Sequence, residues 1–492
     1  MDVTAPRPGA LSERGILAAS SWMTGAHVAA QAVAYGSLII LAHLLPPGSF
    51  GIVAAGTAVV WIAVVVMDSG AHGSIVVSRG LTAVFLRRAI LRCLAFAVCL
   101  GAAIVLGAQL LVGSIAGDES AAAVAALALC VPVYALAVVP LALLQRAMEF
   151  RPLAGATAAS NIAAAAVAVV AGVAGAGVWA LVTRQLLWFV LLAGLAAVLA
   201  RPYFPRGTAE EALTAPRSVD RWFLVFRLTL LVGLGLDYLV IGGLDGVAAV
   251  GLYAMAFVIA FAPVEHFSAE VGKVLFAAAA ASNRESSGAR TVQAVRVMSW
   301  LLLPVLPPAI VLAPVVVPAV LGDEWKGMVA PLQLLLVVGV SYAILNCIGE
   351  ALSGCGEIAF RATVNVAWSL ATLVALLGLV ALDGIRGAAL AHLIVLAPYA
   401  AVYLTAGARR IGTSTGAVWR TLRPVVVAVS LESAATGGVV LALRGAGVSD
   451  GVAAVAAALA GVATIGALVG RARRGVAGEG AALLRQALRR EA

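Results

Sequence analysis

The chain is a succession of apolar blocks about twenty residues long, mostly Ala, Val and Leu, joined by short polar or glycine-containing segments. A bilayer core takes roughly 20 residues of helix, and a backbone crossing lipid must satisfy its own hydrogen bonds. Fourteen such blocks can be read, from 16–44 through 451–470. Barrel strands are about ten residues long and alternate apolar with polar, so a β-barrel is excluded. Composition agrees: 11% of the 492 residues are charged, against ~25% in a soluble domain, and mean hydropathy is +1.07. The expected class is all-α and polytopic, with about fourteen transmembrane helices.

Sorting Lys and Arg by the segments they occupy tests that count. Of the 32 basic residues, 27 gather on one side, Arg361 among them. Three (Lys326, Arg386, Arg444) fall on the other, and two, Arg184 and Arg227, fall inside spans. The positive-inside rule then puts both termini in the cytoplasm and the protein in the inner (cytoplasmic) membrane. The net charge of +9 reads as a topology signal whose partners are anionic lipids and not nucleic acid. The first block, 16–44, exceeds a signal-peptide core and reads as a retained span. Five cysteines without a CxxC pair read as small core hydrophobes, and no metal or cofactor is expected.

Loop length limits chemistry. Outward-facing segments are at most about eight residues, such as 113–120 and 443–450, too short to house an external catalytic domain. The longer inner segments, 201–221 and 271–296, lack a Gly-rich phosphate loop, HExxH, GxSxG or a paired-acid motif. An enzyme is not expected. The amphipathic stretch 268–290 reads as interfacial.

An internal repeat is visible. A shift of 200 lays FGIVAAGTAVV (50–60) over VGLYAMAFVIA (250–260). A shift of 210 lays Phe150–Arg151 over Phe360–Arg361 and Gly177 over Gly387. Spans 1–6 thus fall over spans 7–12. The expected organisation is an N-terminal six-helix lobe (1–200), a cytoplasmic linker (201–221), a second six-helix lobe (222–410), and helices 13–14 with a basic tail (411–492). Six being even, the halves share one orientation, the arrangement in which transporters bind substrate between repeats.

Several ordered stretches carry a family likeness: LAHLLPPGSFGIVAAGT (41–57), VMDSGAHGSIVVSRGLT (66–82), LLQRAMEFRPLA (143–154), GAGVWALVTRQL (175–186), VGLYAMAF (250–257), VLGDEWKGMVAPLQLL (320–335) and ALSGCGEIAFRATV (351–364). Together they resemble the polysaccharide transporter branch of the multidrug/oligosaccharidyl-lipid/polysaccharide flippase superfamily, of the lipopolysaccharide and teichuronic-acid exporter type. The resemblance covers about residues 15–400. It implies two six-helix bundles around a cavity. It also implies a flippase moving polyprenyl-diphosphate-linked oligosaccharide to the outer leaflet for cell-surface polysaccharide biosynthesis. Such proteins commonly carry a basic residue on the first span, where this chain has His27.

Ionisable groups within spans are costly in lipid and are functional candidates by default. Depth along each span places Arg227, Glu265 and Asp68 in an inner layer, and Arg184 and Asp237 at matching outer depths. Arg227 and Arg184 are candidates for the diphosphate, since a guanidinium forks onto phosphate oxygens. Asp237 is their candidate counter-charge, and Asp237 or Asp68 the candidate for H+ or Na+ coupling. The structural alternatives are a snorkelling Arg227 and a static Arg184–Asp237 pair. His27, Gln31, Tyr35 and Asn161 are candidates for a sugar path or for interhelical hydrogen bonds. Asn346 and Glu350 lie one turn apart and share a helix face. Glu432 sits mid-span with no evident partner. Other readings of function are a related exporter of lipid-linked peptidoglycan precursor or drug, and a multi-pass glycosyltransferase or ligase.

Overall fold

The computed structural model describes residues 30–472 except 69–70, 73–74, 76–80, 114–116, 148, 206–220 and 281. Every regular element among the described residues is helical. In chain order they are α1 (Ala30–Leu44), α2 (Pro47–Asp68), α3 (Ala83–Gly107), α4 (Asp118–Arg146), α5 (Phe150–Val173) and α6 (Val178–Ala200). Then come α7 (Arg221–Leu244), α8 (Val247–Ala280), α9 (Arg284–Leu321, tightened at Leu303–Val305), α10 (Val329–Gly354), α11 (358–382), α12 (385–402), α13 (Thr415–Gly445) and α14 (Asp450–Ala472).

Eleven stretches among the described residues are long and apolar enough to cross a membrane. The longest, Ile358–Arg410, is broken at Asp383 (φ −143°) and Gly384 (φ +50°), which separates α11 from α12. Reaching fourteen also requires α1 and the apolar Gly235–Leu244 part of α7, so that number stays a proposal. The stretch 268–290 is divided between the end of α8 and the start of α9.

Helix starts follow local chemistry. Thr82 caps α3 by accepting from the Phe85 N–H at 3.1 Å, and Asn283 caps α9 by accepting from the Ser286 N–H at 2.9 Å. Each satisfies a backbone donor that the first turn leaves unpaired. Gly117 (φ 84°) and Gly322 (φ 102°) each precede an Asp–Glu pair in a first turn, where the helix dipole favours negative charge.

These starts also fix the register of the repeat. Thr82 and Asn283 stand 201 residues apart, and Gly117 and Gly322 stand 205 apart. The Glu149 N–H bonds the Leu144 carbonyl as the Glu357 N–H bonds that of Leu352, a spacing of 208. Gly177 (φ 57°, ψ −137°) matches Gly384 (φ 50°, ψ −137°), a spacing of 207. The expected Phe–Arg match at 210 is therefore two residues out of register. By backbone geometry Arg361 corresponds to Leu153, and Gly177 to Gly384 instead of Gly387.

By internal packing the described chain forms two compact units. The first comprises residues up to Met255 with Asn365–Ala388, the second Ala256–Val364 with residues from Ala389. The core of the first joins α2, α3, α4 and α6 through Val60, Val64, Met67, Cys93, Leu127, Val131, Val182 and Phe189. In the second, α10 packs on α9, and α13 packs on both α9 and α14. Trp325, Met328 and Leu335 are fully buried there.

Candidate functional site

In the first unit, Asp237 of α7 is completely buried and accepts a hydrogen bond from the Tyr253 hydroxyl of α8 at 2.8 Å. The Tyr238 ring packs edge-on against Tyr253, centroids 6.2 Å apart. Arg184 of α6 makes no ion pair among the described residues, and its buried Nε finds no acceptor. The static Arg184–Asp237 pair considered from the sequence is thus not formed. The reason is azimuth. α2 turns Trp61 toward α6, its ring 6.1 Å from that of Trp188. The adjoining face of α2, Ala58 and Ile62, meets α7 at Gly235. Equal depth on α6 and α7 therefore does not bring the two side chains together, since α2 meets the two helices through adjoining faces.

Asp68 ends α2, where it is buried and accepts from the His72 N–H at 2.9 Å. His72 Nε2 lies 2.6 Å from Gln145 Oε1, and Arg146 donates to the Ile75 carbonyl at 3.0 Å. Gln31 and Tyr35 of α1 and Asn161 of α5 are half-buried. Arg227 lies on α7, but its side chain is outside the described residues, and His27 is outside them altogether.

The second unit holds a site that depth alone does not reveal. Asn346 and Glu350 of α10 do share a face, and what they face is Arg361 of α11. Its Nη2 donates to Asn346 Oδ1 at 2.8 Å and to Glu350 Oε1 at 2.9 Å. Its Nη1 donates to Ser353 Oγ at 2.8 Å. Asn346 in turn donates to Ser268 of α8 at 2.9 Å. Arg361 is 4% exposed, which corrects its assignment to an inner loop. The turn Cys355–Glu357 ends early, so α11 begins at Ile358 and carries Arg361 one turn inward. Tyr342, Tyr399 and Tyr403 form an aromatic stack in the same unit, with centroids 6.5 and 4.5 Å apart. Glu265 of α8 is exposed.

Outside this cluster, Glu357 accepts from Arg284 at 2.8 Å and from Arg410 at 3.0 Å, while Arg410 lies 4.3 Å above the Phe360 ring. Glu432 of α13 is fully buried, and neither carboxylate oxygen has a hydrogen-bond partner among the described residues.

The chain is thus polytopic and helical, and it buries guanidinium and carboxylate groups within its helix packing. Solved structures bear this out at the level of fold. A lipid II flippase, MurJ, in an inward closed conformation, is similar at TM-score 0.69 and 11% identity, covering 92% of this chain and 99% of that one. A multidrug resistance MATE family transporter of the MOP superfamily, inward-facing, is similar at TM-score 0.55 and 17% identity, covering 80% and 96%. The fold is therefore one shared with MurJ and with a MATE family transporter. The chain belongs to the polysaccharide biosynthesis protein family, whose sequence pattern it matches over residues 40–330. It is also 27% identical over 147 residues to the teichuronic acid biosynthesis protein TuaB of Bacillus subtilis (strain 168). That match spans 29% of this chain and 30% of the relative.

Proposed function

We propose that the protein is a flippase that moves polyprenyl-diphosphate-linked oligosaccharide across the cytoplasmic membrane for cell-surface polysaccharide synthesis. The observation that carries the reading is membership of the polysaccharide biosynthesis family over residues 40–330 on a fold shared with a lipid II flippase. Transport proceeds by alternating access between a first six-helix lobe (1–200) and a second (222–410), with both termini cytoplasmic. No covalent chemistry is involved. Arg227 and Arg184 hold the diphosphate, Asp237 serves as counter-charge, and Asp237 or Asp68 carries a coupling H+ or Na+. Arg361, held by Glu350 and Asn346, anchors α11 to α10 and is assigned a structural part. The oligosaccharide-lipid cargo is favoured over a cationic drug because buried arginines accompany the carboxylates.

The test is leaflet exchange in liposomes carrying a fluorescent polyprenyl-diphosphate oligosaccharide, read with an impermeant quencher. Protein-dependent exchange that collapses in Arg227→Ala supports the reading together with the role of Arg227. Exchange surviving in that variant removes the role and keeps the flippase. Absence of exchange with folded protein, under imposed H+ and Na+ gradients, removes the flippase.

A further inference from the structure

On α2 and α6 three buried side-chain atoms that can donate have no hydrogen-bond partner among the described residues: Thr57 Oγ1, Arg184 Nε and Trp188 Nε1. The two helices pack together. Thr57 precedes Trp61 by one turn on α2, and Arg184 precedes Trp188 by one turn on α6, so each pair shares a face. The rings of Trp61 and Trp188 are 6.1 Å apart. Three crossings, α3 to α5, lie between α2 and α6, so the two run in the same direction. With the tryptophans side by side, Thr57 and Arg184 both lie one turn from them on the same side. The three donors therefore lie along one stretch of the α2–α6 seam, within about one helical turn of the paired tryptophans.

The hydroxyl of Thr57 forgoes the bond that a helix ordinarily offers it. Several helical threonines bond the carbonyl four residues back, among them Thr157 to Leu153, Thr363 to Ala359 and Thr405 to Ala401, while Thr372 and Thr436 share the lack seen at Thr57. Leaving buried donors unmet carries their full desolvation cost, and a guanidinium costs more than a neutral donor. Tyr134 stands edge-on to Trp61 at 6.1 Å and to Phe189 at 5.6 Å. The donors are thus bordered by aromatic rings, surfaces on which the C–H faces of a sugar ring can pack.

We propose that Thr57, Arg184 and Trp188 form a donor-only subsite for an oxyanion carried next to a sugar ring. Arg184 supplies the charge, Trp188 and Thr57 supply directed N–H and O–H donors, and Trp61 with Tyr134 borders the ring. Two sources share that chemistry: the diphosphate of a lipid carrier and the carboxylate of an acidic sugar. The proposal deepens the flippase reading and rests on it for the class of ligand.

The test is calorimetric titration of the purified full-length protein in detergent with farnesyl diphosphate, with a glucuronate-containing disaccharide, and with a neutral disaccharide of equal size. Trp188→Phe keeps the ring and removes only the N–H, and Thr57→Val keeps the shape and removes only the O–H. Each is expected to weaken the oxyanion probe about tenfold, equivalent to ~1.4 kcal/mol, and Arg184→Met is expected to weaken it further. Thermal stability is expected to hold or rise, because a group left unsatisfied in the free protein has been removed. Loss confined to farnesyl diphosphate identifies the phosphate, and loss confined to the glucuronate identifies the carboxylate. Unchanged affinity in Trp188→Phe and Thr57→Val overturns the subsite, as does failure of the wild-type protein to bind either anion. Leaflet exchange separates the two readings. Exchange with variants that bind as wild type keeps the flippase without the subsite. Donor-dependent binding without exchange keeps the subsite without the flippase.

Discussion

Gly51 of α2 and Gly251 of α8 meet at a helix crossing too close for a side chain on either. A Cβ on Gly51 would strike the Val247 carbonyl, and one on Gly251 would strike the Pro47 carbonyl. The contact is reciprocal: residue 47 faces 251 and residue 247 faces 51, both pairs obeying the 200-residue repeat. Reciprocity of this kind is the signature of a two-fold relation between interface partners, here within a single chain. Hydrophobic burial does not drive helices together in lipid, so close backbone approach through small residues supplies the packing.

Gly51→Ala and Gly251→Ala are each expected to cost about 1–3 kcal/mol, the range for forcing atoms into a filled contact. Gly48→Ala is the control, since its Cβ would meet only Val247 Cγ2, at 3.9 Å. Thermal unfolding in one detergent compares the three. If Gly51→Ala melts with Gly48→Ala, the crossing is looser than drawn.

The helical, polytopic class was legible because hydropathy reports burial in lipid directly, and the Asn346–Glu350 face was legible because a four-residue spacing fixes azimuth on one helix. Azimuth between helices was not. Arg184 and Asp237 agree in depth, yet α2 presents Trp61 to one and Ala58 to the other's helix. Arg361 was missed for a different reason: apolarity does not show where a turn ends. The useful signal was Gly356 (φ 81°) followed by Glu357, which closes the turn and starts α11 before the apolar run begins. The Phe–Arg identity at 210 competed with that signal and misled the register by two residues.

Arg361 makes three side-chain hydrogen bonds, one of them the 2.9 Å ion pair with Glu350, while its side chain is 5% exposed. Arg361→Met leaves Glu350 and Asn346 facing each other without their donor. The expected loss is about 3–5 kcal/mol, as for removing one member of a buried pair. Adding Glu350→Gln should return part of it, because the uncompensated charge is gone. A double-mutant cycle on thermal unfolding measures the coupling, and additive effects would mean the pair is not a unit.

Glu149 and Glu357 hold equivalent places in the repeat but bind different partners. Glu149 accepts from the Tyr203 hydroxyl at 2.6 Å, and Glu357 accepts from Arg284 and Arg410. The two arginines are 57% and 45% exposed, so the ion pairs are screened by solvent. Glu357→Gln is expected to cost at most ~1 kcal/mol and to lose that effect in 1 M salt, where the screening length is about 3 Å. Glu149→Gln, whose bond is to a neutral hydroxyl, should cost the same at low and high salt. Equal salt responses in the two variants would contradict the difference in partners.

Glu432 tests whether a buried acid at membrane depth is there for stability. Both its oxygens and the Thr436 hydroxyl one turn on lack partners among the described residues, and Gly461 of α14 faces them so closely that a Cβ there would lie 2.6 Å from Thr436 Oγ1. An unpaired carboxylate without hydrogen bonds costs stability wherever it is buried. Glu432→Leu should therefore raise the unfolding temperature, by an amount corresponding to about 1–3 kcal/mol for an unsatisfied group removed. Gly461→Ala should lower it by crowding the same pocket. A Glu432→Leu protein that melts earlier than wild type would mean the carboxylate has a structural partner in the membrane. A protein that melts later but no longer exchanges lipid-linked cargo would show that the chain tolerates an unstable acid because transport uses it.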